Sequence, residues 1–356
     1  MRVCVVGAAR TARAVAALGV ALSASGHEMV VAGESSPGAH GLEALATSAS
    51  GSDIVVGLGR AGPWAVSAAE LVGVLGVLAE TEAAALPTRD FAPATNLRPP
   101  RRLNRPVASA LDAKGWVRDG HEVNQARRAA GLGTMRNPWH ELPVLGAWSP
   151  VLVPTPDDWD ADRVTVTGEW WVADDAAWDP DPRLAAFLAV GDRPIYVGLA
   201  GVGGSLAEYT LESVLEAWAD TYRILLDVGP LGSRLRLPEN VHRVGSVPSD
   251  WLFSRCGALV FECGAGRAHA AARSGIPSIP VPFTPVQRFW GDRLYGAGVA
   301  TKPVDPRSGW EAYKAALRAT VPLRDPAKDV AARVGAEDGA AAAVRTLEAM
   351  LRATHL

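Results

Sequence analysis

The sequence has few cysteines and lysines and lacks a long apolar run. Its three cysteines include no CxxC pair, and its seven histidines show no metal-ligand spacing, so neither a disulfide framework nor a zinc site is predicted. Apolar stretches such as residues 71–79 are far shorter than the roughly 20 residues of a membrane span. Arg10 and Arg13 interrupt the first apolar run, which argues against a signal peptide. We expect a cytoplasmic protein with no membrane span, metal or cofactor.

Positive charge is also scarce. The formal net charge is -3 and the pI is about 6.2, whereas nucleic acid or an anionic membrane surface attracts a strongly basic protein. A chain of 356 residues with 48% hydrophobic residues is long enough for two ordinary domains. Composition therefore favours small molecules or other proteins as partners and argues against nucleic acid.

The N-terminal half begins as a βαβ unit, because short β-branched runs alternate with a helical stretch. We predict strands over residues 2–6 and 28–32, a helix over residues 12–25, and a further buried strand over residues 53–58. Residues 85–160 are rich in proline and tryptophan and are interpreted as loops and an interdomain connection.

A second alternation of strands and helices begins near Val164 and predicts a second parallel sheet. Its strands are predicted over residues 195–199, 223–228, 242–247, 258–261 and 278–281. Apolar residues at helical spacing predict a terminal helix over residues 336–352. The predicted domains are residues 1–160 and 161–336, followed by a helical tail over residues 337–356. A ligand is expected in the cleft at the carboxyl ends of their strands.

One glycine-rich turn has the chemistry of an anion site. Gly264, Ala265 and Gly266 follow a predicted strand and open a helix, where backbone amides and the helix dipole favour negative charge. By itself such a turn is common in α/β domains. Its neighbours are more informative: the run Ser-Val-Pro-Ser-Asp-Trp-Leu-Phe over residues 246–253, and Pro-Phe-Thr-Pro-Val-Gln-Arg-Phe-Trp-Gly over residues 282–291.

This ordered run resembles the donor half of family 1 GT-B glycosyltransferases of the bacterial sterol and macrolide or glycopeptide type. Residues 149–154 are similar to the interdomain strand of that family, and residues 88–91 to an acceptor-side motif. The resemblance implies an α/β fold of two facing Rossmann-like domains, with a C-terminal helix that packs back on the N-terminal domain. It also implies transfer of a sugar from a nucleotide-activated donor to a small-molecule aglycone in natural-product metabolism, such as antibiotic biosynthesis.

The resemblance also implies two sets of contact residues. The donor set comprises Gly201, Val247, Glu262, Gly264, Ala265, Gly266, Arg267, Val286 and Gln287. The acceptor set comprises Trp64, Phe91 and His140, beside a cleft that a short segment between Val31 and Ile54 leaves open. Thr11 and His140 are weak candidates for the catalytic base, and no residue stands out for that role.

Several positions depart from the family pattern. Glu262 stands where the family has a histidine that contacts the donor diphosphate, and Arg267 replaces a threonine of the same motif. Gly201 replaces a phosphate-binding serine, and Val286 replaces an aspartate that holds sugar hydroxyls. Thr11, at the position nearest to the family's base, has no useful pKa for proton abstraction at neutral pH. Glu262 and Arg267 lie five residues apart across the turn, so we expect an ion pair that blocks or reshapes the diphosphate site.

Two hypotheses from different classes follow. The chain is a glycosyltransferase with a remodelled donor pocket, or it is a catalytically silent GT-B protein that binds an aglycone or an active glycosyltransferase partner. His269, one turn into the helix after the glycine-rich turn, would replace the diphosphate-binding histidine of the family only if the donor bound deeper in the pocket than it does in the family. A third hypothesis is an NAD-dependent oxidoreductase, because Glu34 lies where an acid would bind the ribose of the cofactor. The turn after the first strand argues against it, since it has one glycine, Gly7, where a dinucleotide fingerprint has three.

Overall fold

A computed structural model describes residues 1–33, 38–96, 98–173, 178–232, 237–245 and 247–354. Glu34 and Ser246 lie outside the described residues. The chain forms two compact units: Met1–Val172 together with Glu337–Leu356, and Ala173–Ala336. Among the described residues, no helix combines the length and the apolar character needed to cross a membrane.

The first unit alternates strands and helices along most of its length. In chain order its elements are β1 (Arg2–Gly7), α1 (Ala12–Ala24), β2 (Glu28–Gly33), α2 (Ala39–Ala49), β3 (Ile54–Leu58), α3 (Gly62–Val72), β4 (Leu75–Glu80), α4 (Asn104–Ala129), β5 (Val144–Gly146) and β6 (Val164–Val166). The strands form one parallel sheet in the order β2-β1-β3-β4-β5-β6. Val5 of β1 lies opposite Val31 of β2 and Val56 of β3, which fixes the register at the centre of the sheet.

Each face of this sheet carries its own apolar core, because successive side chains of a strand point to opposite faces. Val3 and Val5 belong to one core, and Cys4 and Val6 to the other. Burial on both faces explains why these strands are continuous apolar runs and could be recognised in the sequence.

The second unit contains a five-stranded parallel sheet in the order β11-β10-β7-β8-β9. In chain order its elements are α5 (Pro182–Ala189), β7 (Ile195–Gly198), α6 (Ser205–Trp218), β8 (Ile224–Asp227), β9 (Val241–Arg243), α7 (Ser249–Phe253), β10 (Ala258–Phe261), α8 (Ala265–Ser274), β11 (Ser278–Pro280), α9 (Pro285–Gly296), α10 (Trp310–Ala319) and α11 (Arg324–Gly335). Each of the five strands lies within a segment predicted as a strand, apart from β9, which begins one residue earlier at Val241.

The chain then returns to the first unit. The last helix, α12 (Gly339–Thr354), places Val344 and Leu347 in the same core as Leu18 of α1. His27, just before β2, contacts the carboxylate of Glu348 at 2.7 Å and fastens the helix to the start of the sheet. The predicted packing of a terminal helix on the N-terminal domain is therefore confirmed.

Two parts of the sequence interpretation need correction. Residues 85–160 are not only loops, because they contain the 26-residue helix α4, whose largely polar sequence has no strong apolar stripe. The first unit also extends to Val172 rather than residue 160. The reason is that β6, expected near the start of the second sheet, pairs in parallel with β5 of the first, with Val164 opposite Val144.

Candidate functional site

The first unit has a cavity of about 880 Å³ at the carboxyl edge of its sheet. Arg10 follows β1, Gly59 follows β3 and Glu80 ends β4, and all three line the cavity. In parallel α/β sheets this edge is where ligands bind, because the loops that follow the strands converge there. The wall opposite is formed by α4, which contributes Gly115 and Trp116.

Glu80 is the chemically distinctive residue of this cavity. Its side chain is only 9% exposed, and its Oε1 accepts hydrogen bonds from the backbone amides of Thr81 and Glu82 at 2.8 and 2.9 Å. Burial raises the pKa of Glu80 to about 7, the neighbouring Glu82 carboxylate adds to the rise, and the two backbone bonds and Arg10 oppose it. A carboxyl group with a pKa near neutrality is suited to proton transfer at physiological pH.

The raised pKa of Glu80 predicts a pH-dependent stability. The native state holds this proton more tightly than the unfolded state, so its contribution is complete below pH 4.5 and is lost as the pH rises through about 7. A shift from 4.5 to about 7 corresponds to about 3 kcal/mol. Glu80→Gln, which keeps the acceptor oxygen, should therefore unfold at higher urea concentration than the native protein at pH 8 and at the same concentration at pH 4. Equal urea midpoints at pH 8 would contradict the assignment.

Aromatic side chains and acids share the rest of the cavity wall. Trp64, Trp116 and Trp139 offer apolar surface with a polar ring nitrogen. The acids of α4 that line the cavity are Asp112, Asp119 and Glu122. Such a mixture of flat apolar surface and a few polar groups is typical of sites for small organic ligands.

The predicted acceptor residues occupy different places. Trp64 lines the cavity, whereas Phe91 is buried and packs edge-on against Trp159 at 6.1 Å. His140 lies beside a smaller cavity of about 120 Å³, where its Nε2 contacts Asp112 at 2.7 Å. Thr11 is buried, and its hydroxyl donates to the carbonyl of Ala8 at 2.8 Å, so its hydroxyl proton is already engaged.

In the second unit, the glycine-rich turn joins β10 to α8. Gly264 is the N-cap of α8, and a side chain at Gly264 or Gly266 would meet no neighbouring atom, so the space in front of the helix is open. Cys263, just before the turn, is buried with φ at 65°, in the left-handed region that favours glycine. The turn therefore offers an open helix N-terminus on a strained backbone.

The predicted ion pair across this turn is present and belongs to a larger network. One guanidinium nitrogen of Arg267, Nη1, donates to both carboxylate oxygens of Glu262 at 2.8 and 2.9 Å. The other, Nη2, donates to Asp227 at the end of β8 at 2.7 Å. Asp227 also accepts a hydrogen bond from the hydroxyl of Tyr196 at 2.8 Å. We call Tyr196, Asp227, Glu262 and Arg267 the carboxylate network.

The carboxylate network carries two acids and one cation. Glu262 is buried, and this burial raises the pKa of its carboxyl group, an effect that the Arg267 guanidinium opposes. With both carboxylates ionised the formal charge is -1, next to the helix end where the family pattern places a diphosphate. The positive charge of Arg267 is directed at Glu262 and Asp227 rather than at the open space.

Gly201, which follows β7, lies next to the carboxylate of Glu262. A Cβ atom at this position would lie 2.8 Å from Oε1 of Glu262. A serine at position 201 would therefore require the Glu262 carboxylate to shift from its observed place.

The other predicted donor residues have clear structural positions. Oε1 of Gln287 accepts from the backbone amides of Phe283 and Thr284 in a capping box at the start of α9, and Val286 next to it is exposed. Val247 is half-buried in the loop before α7. His269 is buried against Trp290, and burial lowers its pKa to about 4, so it is a neutral core residue rather than a phosphate contact.

Three functional candidates were missed from the sequence. Glu80 ends β4 of the first unit, whereas Tyr196 and Asp227 lie on the consecutive strands β7 and β8 of the second. Glu80 and Asp227 share one usable signal: each is an acid that ends a buried strand, and the carboxyl edge of a parallel sheet is where ligand sites form. Nothing in the local sequence indicates that Tyr196 reaches Asp227.

Comparisons with known proteins agree with this architecture. O-mycaminosyltylonolide 6-deoxyallosyltransferase of Streptomyces fradiae is 36% identical over 231 residues, which cover 62% of this chain and 52% of that protein. A sterol 3-beta-glucosyltransferase of Arabidopsis thaliana is 33% identical over 205 residues, or 56% of this chain and 32% of that protein. The chain thus spans about half or less of the length of these relatives. No protein-family model matches it.

Solved structures match over nearly the whole chain. The glycosyltransferase of kitacinnamycin has a TM-score of 0.72 at 15% identity, with 98% of this chain and 99% of that chain covered. The spinosyn rhamnosyltransferase SpnG, solved with thymidine diphosphate, has a TM-score of 0.64 at 18% identity, with 98% and 100% covered.

Two parallel sheets in separate units, together with these matches, define the class of the protein: it has the GT-B fold. Within that class, its sequence relatives are sterol and macrolide glycosyltransferases, which confirms the resemblance to family 1 GT-B proteins of the sterol and antibiotic type.

Proposed function

We propose that this protein transfers a sugar from a nucleotide-activated donor to a hydroxyl group of a small-molecule aglycone bound in the 880 Å³ cavity. The observation that carries the proposal is Glu80, a buried carboxyl group with a pKa of about 7 at the carboxyl edge of the first sheet. The names of the relatives supply the acceptor types, sterols and macrolides, and SpnG with thymidine diphosphate supplies the donor type.

In this proposal Glu80 is the general base. Its carboxylate takes the proton of the acceptor hydroxyl while that oxygen attacks the anomeric carbon of the sugar. The bond from the anomeric carbon to the diphosphate oxygen breaks, and the nucleoside diphosphate leaves with the electron pair. The two backbone hydrogen bonds to Oε1 hold the carboxyl group in place. Its other oxygen, Oε2, then takes the proton in this proposal.

The donor side is remodelled in this proposal rather than lost. The open helix end at Gly264 and Gly266 still offers backbone amides to phosphate oxygens. The carboxylate network weakens that interaction, because its net negative charge repels the diphosphate. We therefore expect transfer with a low donor affinity.

A catalytically silent protein that binds an aglycone, or an active glycosyltransferase partner, is the second candidate. The observation that favours it is that Nη1 of Arg267 donates to both carboxylate oxygens of Glu262, so the positive charge of this arginine is already neutralised. Under this alternative an aglycone binds in the cavity, and no donor yields a product.

Filling the cavity tests its role as the acceptor site. A side chain at Gly115 of α4 starts in open space and projects from the cavity wall, so Gly115→Phe should lower the affinity for sterol or macrolide aglycones at least tenfold, measured by tryptophan fluorescence. Gly133, which also has room for a side chain but does not line the cavity, supplies the control Gly133→Phe. Equal aglycone affinities in the two variants would place the acceptor elsewhere.

A further inference from the structure

Helix α4 has a second face that the cavity does not use. Positions spaced alternately by three and four residues form one stripe along a helix. On α4 and the turn before it, the exposed members of one such stripe are Leu103, Ala110, Lys114, Val117, His121 and Arg128. Leu103 is 41% exposed and Val117 is 78% exposed, which is high for apolar side chains.

The acids of α4 are segregated away from this stripe. The helix contains Asp112, Asp119 and Glu122, and all three line the cavity. The stripe itself combines apolar side chains with Lys114, His121 and Arg128 and carries no acid. This face of α4 is therefore basic, with Val117 as its one strongly exposed large apolar side chain, and clustered basic side chains are attracted to anionic lipid.

Arginines extend the basic character past the start of the helix. Arg89, Arg102 and Arg105 line a shallow pocket of about 460 Å³ together with Pro106 and Ser109, and Arg98 is exposed nearby in the chain. Arg105 contacts Asp158 at 3.4 Å, and the adjacent Arg101 contacts Asp90 at 3.0 Å. By contrast, the side chains of Arg89, Arg98 and Arg102 form no ion pair or hydrogen bond with the described residues.

We propose that the exposed stripe of α4 and the arginines before it form a docking surface for an anionic membrane. The guanidinium and ammonium groups contact lipid phosphates, and Leu103 and Val117 enter the headgroup layer. The overall charge of -3 does not reveal this patch, because residues 98–129 carry eight Lys and Arg against three Asp and Glu, whereas the rest of the chain carries 27 against 35. Since α4 also forms the cavity wall, docking brings the cavity close to the lipid phase, where sterol-like or macrolide-like molecules accumulate. The surface itself does not depend on sugar transfer.

Vesicle binding tests the proposal with the purified full-length chain. The native protein should co-sediment with phosphatidylcholine vesicles that contain about 30% phosphatidylglycerol, should not do so with phosphatidylcholine alone, and should be released as salt is raised to about 0.5 M. Replacing Arg98, Arg102 and Lys114 with serine should lower partitioning roughly a hundredfold. The matched control replaces Lys302, Arg318 and Arg333, three exposed cations of the second unit, and should leave partitioning unchanged.

The apolar part of the surface has its own pair of variants. Val117→Ser should weaken vesicle binding, whereas Val321→Ser, at an exposed valine of the second unit, should not. Absence of binding of the native protein to anionic vesicles would overturn the proposal and direct attention to a protein partner for this face. Equal partitioning of the triple variant and its control would overturn it as well. Because the readout is lipid binding, a failure of sugar transfer leaves the result interpretable.

Discussion

Replacing Glu262 with histidine and Arg267 with threonine is expected to raise the affinity of the protein for thymidine diphosphate by about tenfold to a hundredfold. The double variant removes a carboxylate together with its partner cation, so Asp227 keeps the formal charge of the network at -1. The gain comes from a hydrogen-bond donor at position 262, since a hydrogen bond to a charged group contributes roughly 1.5–3 kcal/mol, which corresponds to about that factor. Calorimetry with the native and variant proteins gives the two dissociation constants.

Variants at Arg267 decide whether the arginine is itself a phosphate ligand. Arg267→Ala alone leaves Glu262 and Asp227 without their cation, and breaking a buried ion pair is strongly destabilising. The combination Arg267→Ala with Glu262→Gln avoids the buried unpaired charge at position 262. If Arg267 only neutralises the carboxylates, this combination binds thymidine diphosphate at least as well as the native protein. Tight binding by the native protein that the combination abolishes would make Arg267 the phosphate ligand.

Loss of the carboxylate at position 80 is expected to lower the rate of sugar transfer by a factor of about 10² to 10⁴, the usual contribution of a general base. The native rate should rise with pH and level off above about 7, because the ionised form of Glu80 is the base. Glu80→Gln keeps the hydrogen-bonded oxygen, so it should bind the aglycone as the native protein does. Initial rates between pH 5 and 9 measure both effects.

His140 provides the comparison for this experiment. It is paired with Asp112 at 2.7 Å, an arrangement that can orient a histidine base, but it lies beside the smaller cavity. His140→Asn should therefore retain most of the transfer activity. A rate that falls in His140→Asn and not in Glu80→Gln would reverse the assignment of the base.

The sequence was most informative where structure is local. Buried parallel strands such as β1 and β3 read as short apolar runs, and the turn at Gly264 and Gly266 follows one of them. The ion pair between Glu262 and Arg267 followed from their spacing across that turn. Helix α4 was not predicted, because it has few buried residues and its mostly polar sequence resembles that of a loop.

The remaining features of the site depend on contacts between distant segments. Asp227 joins the carboxylate network because β8 lies next to β7 in the sheet, and the side chain of Tyr196 reaches it across Gly198. The pKa of Glu80 is raised by burial, which no local pattern reveals. Sequence spacing therefore predicted the pair at the turn but neither its third partner nor the raised pKa of Glu80.

Sugar transfer itself is tested most directly by mass spectrometry of aglycones incubated with nucleoside diphosphate sugars and the protein. Sterol and macrolide aglycones, each with several donors at millimolar concentration to overcome weak donor binding, form a suitable panel. The native protein is predicted to add the mass of one sugar residue to at least one aglycone, and Glu80→Gln to form far less of that product. An aglycone that binds in the cavity but gains no sugar from any donor, with the native protein and with the Glu262→His, Arg267→Thr variant alike, would contradict the account.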